Sequence, residues 1–239
     1  MQPYFFPYIG YFDLINRTDR WVIFDVVRPA SKGWLNRNRI LHPTAGWQYI
    51  NVPLDHASKV GAIKDVRMRD KAEARRQILA QVDHYRTKRA PFFEQARALI
   101  DRGFEETPGD KIAELNTRTL AGVCEYLGIP FQYTLFSTMG LQLPQIEHPG
   151  QWAVEIAAAL HASEYINPPN GRPFLRPEEF ERHGIALTFT EQLDYKYDCK
   201  GYAFVENLSI LDVIMWNDPT AIKAFLDDVK ERSLPNASR

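Results

Sequence analysis

Residues 9–25, IGYFDLINRTDRWVIFD, decide the fold class, because the spacing of their apolar side chains changes midway. Gly10, Tyr11, Phe12, Leu14 and Ile15 recur with a helical pattern that ends near Asn16 to Asp19. Arg20-Trp-Val-Ile-Phe-Asp25 then forms a compact apolar run that reads as a buried strand ending in a carboxylate. Working outward, RPASKGWLNRNRI (28–40) reads as a basic loop, GWQYINVPL (46–54) alternates like a strand, and 63–68 is a shorter strand candidate.

The next region reads as helical. Ile78, Leu79, Val82 and Tyr85 share one face of a helix from about Lys71, Pro91 breaks it, and a second helix runs to about Arg102. A third starts near Asp110, with Ile112, Leu115, Leu120, Val123 and Leu127 facing inward, and stops at Gly128. Phe131 to Phe136 is a strand candidate and Trp152 to His161 a helix. Tyr165-Ile166 and Ala186 to Thr190 read as short strands around a helix near Pro177 to Arg182. Leu208 to Trp216 and Thr220 to Arg232 read as closing helices, and LPNASR (234–239) as a frayed tail. The alternation predicts one α/β domain over 1–239, a largely parallel sheet flanked by helices in Rossmann-like layers, with a helical subdomain around 70–128.

Composition narrows the function class. The 239 residues balance 29 Lys+Arg against 30 Asp+Glu, a net charge of −1 that argues against a dedicated nucleic-acid or anionic-membrane binder. A small basic pocket for one phosphorylated metabolite stays compatible with it. Two cysteines, Cys124 and Cys199, build neither a disulfide framework nor a cysteine zinc site, and no histidine pair has metal-ligand spacing. The start lacks a secretory pattern, and the uncharged stretch 126–146 carries Pro130, Gly140 and Pro144. The expectation is a soluble cytoplasmic protein without membrane insertion.

KGWLNRNR (32–39) sets Lys32, Arg37 and Arg39 among Trp34, Asn36 and Asn38. In an extended segment Arg37 and Arg39 point one way and the two asparagines the other. Guanidinium forks grip phosphate or carboxylate, and an indole stacks on a base or sugar; the plainer alternative is a solvated surface loop. In QPYFFPYIGYF (2–12), Gly10 would let a ligand approach the backbone and the helix start would offer free N–H donors, or else the aromatics simply plug the core. Asp25 stands where open α/β sheets place ligands, or it caps the following turn. Asp212 is an inward-facing acid or the partner of Ser209 in a capping box. Asn167, in NPPNG (167–171), shapes a turn or reaches a sugar hydroxyl. Lys200 beside Cys199 could lower that thiol's pKa, but without a positioned base Cys199 stays a weak nucleophile candidate.

Taken in order, QPYFFPYIGYFDLI, the strand ending in Asp25, KGWLNRNRI, YINPPNG and LSILDVIMWN make the chain resemble the WbqC-like protein family from Gln2 to about Asn217. The resemblance implies a role with bacterial O-antigen and other surface-polysaccharide genes, and its motif positions include Gln2, Gly10, Tyr11, Asp25, Lys32, Trp34, Asn36 to Arg39, Asn167 and Asp212. Val26 replaces a second acid common in relatives, which weakens a two-carboxylate metal site. Relatives also carry apolar residues ahead of the glutamine-proline pair, so a first strand is expected upstream of Met1. The expected activity is acyl or aminoacyl transfer to an activated amino sugar, with a nucleotide sugar or acyl carrier as partner. Lys32, Arg37 and Arg39 would neutralise phosphate, Trp34 with Tyr4 or Tyr11 would stack, and Asn36, Asn38 and Asn167 would hold sugar hydroxyls. Gln2 and Gly10 complete that binding set, and Asp25 or Asp212 would be the general base. Nucleotidyl transfer and a non-catalytic sugar-nucleotide or partner-binding module are the alternatives; cofactor, metal requirement and oligomeric state stay open.

Overall fold

A computed structural model describes residues 1–233, so the LPNASR tail lies outside the described residues. Helix α1 (Ile9–Arg17) and strand β1 (Trp21–Ile23) form where the apolar spacing changes, and Asp25 follows β1 directly. Strands β2 (Arg37–Leu41) and β3 (Trp47–Asn51) pair antiparallel, with Arg39 opposite Tyr49 and Leu41 opposite Trp47. The end of the predicted basic loop is therefore a strand. Its inward positions are Asn38 and Ile40, and a buried amide in place of an apolar side chain disguises the period-2 pattern. Residues 63–68 form a 3₁₀ turn (Ile63–Asp65) and isolated bridges rather than a strand.

Helix α2 (Lys71–Val82) starts on Asp70, whose carboxylate accepts from the Glu73 N–H at 2.9 Å, and gives way to a short α3 (His84–Thr87) before Pro91. Helices α4 (Phe93–Glu105) and α5 (Ile112–Leu127) follow, and Gly128 ends α5 at φ +68°, the left-handed cap its position predicts. Then come β4 (Tyr133–Leu135), α6 (Gln151–Ala159), β5 (Glu164–Asn167), α7 (Pro177–Arg182), β6 (Ala186–Phe189), α8 (Ile210–Trp216) and α9 (Pro219–Ser233). The fold is mixed α/β. Its strands run three to five residues and form parallel pairs β1–β4 and β5–β6 plus the antiparallel hairpin, so the parallel layer predicted from sequence takes the form of two separate pairs.

The main core gathers Phe12, Ile23, Ile40, Ile50, Tyr85, Phe104, Leu120 and Ile214, so the helices of 70–128 bury the same interior as the hairpin and α8. A smaller core of Val154, Ala157, Phe180 and Ile185 lies within α6 to β6.

Residues 3–7 thread this core as irregular chain. The Asn116 amide donates to the carbonyls of Pro3 (2.9 Å) and Leu35 (2.7 Å), and Asn38 donates to those of Phe5 (3.0 Å) and Phe6 (2.9 Å). Ser209 Oγ also donates to Phe6 (2.7 Å), the Ile210 N–H to Pro7 (2.9 Å), and the Phe5 N–H to Trp34 (3.0 Å). Beside them the Met1 carbonyl accepts from the Phe24 N–H at 2.8 Å, along the edge of β1 opposite β4.

Gly150, just ahead of α6, permits a close backbone crossing: a Cβ there would sit 1.8 Å from the Phe174 carbonyl oxygen. Gly150→Ala should therefore cost about 1–3 kcal/mol of stability, the usual range for overpacking. Urea unfolding measures it, and an unchanged midpoint would remove the crossing as a constraint.

Candidate functional site

The pleat of the hairpin sorts the sequence candidates into two groups. Arg37 and Arg39 project together from β2, as their spacing predicts, while Asn38 turns inward. Opposite them, β3 presents Trp47 and Tyr49, which are 41% and 38% exposed. The Arg37 guanidinium lies 4.6 Å from the Tyr49 ring centre, and that of Arg39 lies 5.1 Å from Trp47 and 5.6 Å from Trp34. Arg37 also donates to the Lys32 carbonyl and Arg39 to the Asn207 carbonyl, each at 3.1 Å. Among the described residues neither arginine, nor Lys32, pairs with a carboxylate, and Arg39 Nε is buried without a partner. The result is an open face of cations held over aromatic rings rather than a closed pocket. Trp47 and Tyr49 escaped the sequence reading as site residues, although the alternation of GWQYINVPL put them on one side of a strand.

Other candidates serve the fold. Asn36 donates to Asn51 Oδ1 (2.7 Å) and the Val52 carbonyl (2.9 Å), and Asn38 is 4% exposed and clamps Phe5 and Phe6, so the N–H groups of both amides are engaged within the protein. At Gly10 an added Cβ would sit 2.5 Å from the Tyr8 ring, so the glycine accommodates that ring. Phe5, Phe6 and Phe12 are buried, which makes this segment the core plug. Tyr11 donates to the Gln2 carbonyl at 2.5 Å and packs 5.8 Å from Tyr4, with burial raising both phenol pKa values. Asn167, the last residue of β5, donates to Tyr165 Oη at 2.9 Å on the same strand. Gln2 stands apart from the hairpin face, in a cleft beside Phe24 and Trp152.

Both candidate acids are fully buried. Asp25 accepts from the Ser137 N–H (3.0 Å) and hydroxyl (2.6 Å), which ties the end of β1 to the turn after β4. Asp212 accepts from the Tyr197 hydroxyl at 2.6 Å and from the Tyr85 hydroxyl, which itself accepts from the Leu41 N–H at 3.0 Å. The Trp216 indole N–H lies close enough to help stabilise the same carboxylate, though outside hydrogen-bond geometry. Ser209 does cap α8 by accepting from the Leu211 N–H (3.2 Å), but its own N–H goes to Arg39, so Asp212 is an inward acid and not a capping-box partner. Burial lifts the Asp212 carboxyl to about 6 against the pull of the two tyrosines. The Cys199 expectation is overturned: burial, with Asp212 and Asp198 nearby, pushes its thiol up to about 12, and Lys200 does not offset this. Among the described residues no group of three or more His, Cys, Asp or Glu is placed to hold a metal, and no helix is long and apolar enough to cross a membrane.

Because folding raises the Asp212 pKa, the folded state holds this proton more tightly than the unfolded chain does. The stability it contributes is fully present below about pH 4 and is lost as pH rises through about 6, a change on the order of 3 kcal/mol. Asp212→Asn should remove that component, read as the difference between mutant and wild-type melting temperatures from pH 4 to 7. Parallel curves for the two proteins would contradict the assignment.

No solved structure matches the chain. A protein of Mycobacterium tuberculosis (strain ATCC 25618 / H37Rv), described as uncharacterized protein Rv1507c, is 26% identical over 215 residues, 90% of each chain. The family model for the WbqC-like proteins matches residues 2–224, spanning the aromatic segment, the hairpin and α8 alike. The chain belongs to the WbqC-like protein family.

Proposed function

We propose that the protein acts in bacterial surface-polysaccharide (O-antigen) synthesis and that its hairpin face binds a phosphorylated metabolite, a nucleotide sugar or an acyl carrier. The observation that carries this reading is the pair of arginines without carboxylate partners, stacked over Trp34, Trp47 and Tyr49 on one open surface. Guanidinium groups meet phosphate oxygens two at a time, and exposed rings take the apolar face of a sugar or base. Arg39 Nε, buried without an acceptor, adds a donor that an incoming oxyanion would satisfy. Lys32, exposed in the turn ahead of β2, extends the positive charge.

Within that reading the activity is acyl or aminoacyl transfer to an activated amino sugar: the amine forms the new amide bond as the acyl–carrier bond breaks and the carrier leaves. The amine's proton passes through the half-buried Tyr197 hydroxyl to the Asp212 carboxylate behind it. A carboxyl lifted to about 6 suits proton transfer near neutrality, and the Leu41 N–H to Tyr85 to Asp212 chain links it to β2. One observation favours a non-catalytic sugar-nucleotide module instead: Asp25 and Asp212 are both fully buried and hydrogen-bonded, and a binder needs no accessible acid.

Calorimetric titration with UDP-N-acetylglucosamine tests the binding face. Arg37→Gln or Trp47→Ala should weaken binding about tenfold or more, at unchanged melting temperature, since a charged hydrogen bond contributes about 1.5–3 kcal/mol. Equal affinity in both variants, or no binding by any nucleotide sugar or acyl carrier, would remove the proposal. Asp212→Asn that keeps affinity and abolishes turnover supports the transferase; affinity kept with no turnover in either form supports the binding module.

A further inference from the structure

A cleft of about 500 Å³ opens at the carboxyl end of β1, away from the hairpin's exposed rings. Phe24 and Arg28 follow β1 on one side, Gln2 closes another, and the loop carrying His148, with Trp152 of α6, forms the opposite wall. This is where ligands enter α/β folds with parallel strands, and clefts between two packed units are common binding sites. The wall is built and not incidental. Trp152 is wedged 5.2 Å from Phe24 and 5.6 Å from Phe136, and Gly150 lets the His148 loop lie against the Phe174 backbone.

His148 is the informative residue. Its Nε2 lies 2.8 Å from Glu179 Oε1, and the two side chains are only 16% and 14% exposed. Arg176 approaches the same oxygen at 3.4 Å, while Glu179 Oε2 is buried without a partner. A carboxylate on one ring nitrogen fixes the tautomer and leaves the other nitrogen for a ligand. Nδ1 makes no hydrogen bond among the described residues, and neither do the Gln2 carboxamide and the Arg28 guanidinium. Glu147 stands exposed on the rim and tempers the positive charge.

We propose that this cleft is a second ligand site, taking a ring-bearing oxyanion of low charge. Arg28 grips the anion, Trp152 stacks on the ring, the Gln2 carboxamide and His148 Nδ1 hydrogen-bond its polar groups, and Glu179 is the positioning residue for His148. One free cation beside one rim carboxylate suits a carboxylate or single phosphate, whereas the three cations of the hairpin suit a diphosphate. The proposal stands whether or not the hairpin binds.

The test uses the full chain with ¹⁵N-labelled histidine, titrated with glucuronate and with uridine 5′-monophosphate while the His148 ring nitrogens are observed by NMR. Saturable shifts with either probe at millimolar concentration are expected, weakened about fivefold or more by Arg28→Gln and unchanged by Arg37→Gln. Glu179→Gln should alter the His148 tautomer balance in the free protein, a change that simple packing would not produce. No saturable His148 shift with either probe, or shifts indifferent to Arg28→Gln, would overturn the site; an unaltered tautomer would overturn the role of Glu179.

Discussion

Residues 3–7 run through the interior without belonging to a helix or strand, so their backbone groups must find partners from other elements or stand unpaired in an apolar core. An unpaired buried carbonyl costs about 1–3 kcal/mol, and several of them would outweigh the whole stability of a domain. Asn116, Asn38 and Ser209 supply those partners from α5, β2 and the start of α8. Each amide bridges two carbonyls: removing Asn116 takes the side-chain donor from both Pro3 and Leu35, whereas removing Asn38 takes it from Phe5 and leaves Phe6 with Ser209. The aromatic rings of this segment supply apolar burial, and the three polar side chains supply its position.

That arrangement orders the surface above it. Asn38 is buried on one side of β2, so by the alternation of a strand its neighbours Arg37 and Arg39 face outward over Trp47 and Tyr49. Ser209 holds the same carbonyl as Asn38 and also opens α8, which delivers Asp212 to Tyr85 and Tyr197. Packing and recognition are therefore linked through one strand. The cation face depends on a buried amide whose N–H groups are engaged by the chain's own carbonyls.

The parts of this fold that were legible in the sequence are those with local causes. The spacing change across 9–25, the left-handed stop at Gly128 and the shared direction of Arg37 and Arg39 all follow from periodicity. What stayed hidden depends on contacts between distant positions. From sequence alone Asn38 reads as a ligand-facing amide because a buried polar residue carries no periodic signature, and β2 reads as loop for the same reason. Tyr85 meets Asp212, Ser137 meets Asp25 and Glu179 meets His148 across long separations that no local pattern encodes. Cys199 misled through its neighbour: Lys200 is adjacent in the chain, but burial and Asp212 govern the thiol.

The most direct test of this account is the equilibrium unfolding free energy of Asn38→Ala. The Phe5 carbonyl loses its side-chain donor while Phe6 keeps Ser209, so the loss should cost about 1–3 kcal/mol, with a flattened response of the hairpin's tryptophan fluorescence to anions. A loss within about 0.5 kcal/mol, the range of ordinary surface changes, would mean that the aromatic segment is held by its rings alone and that the clamp is not what positions the cation face.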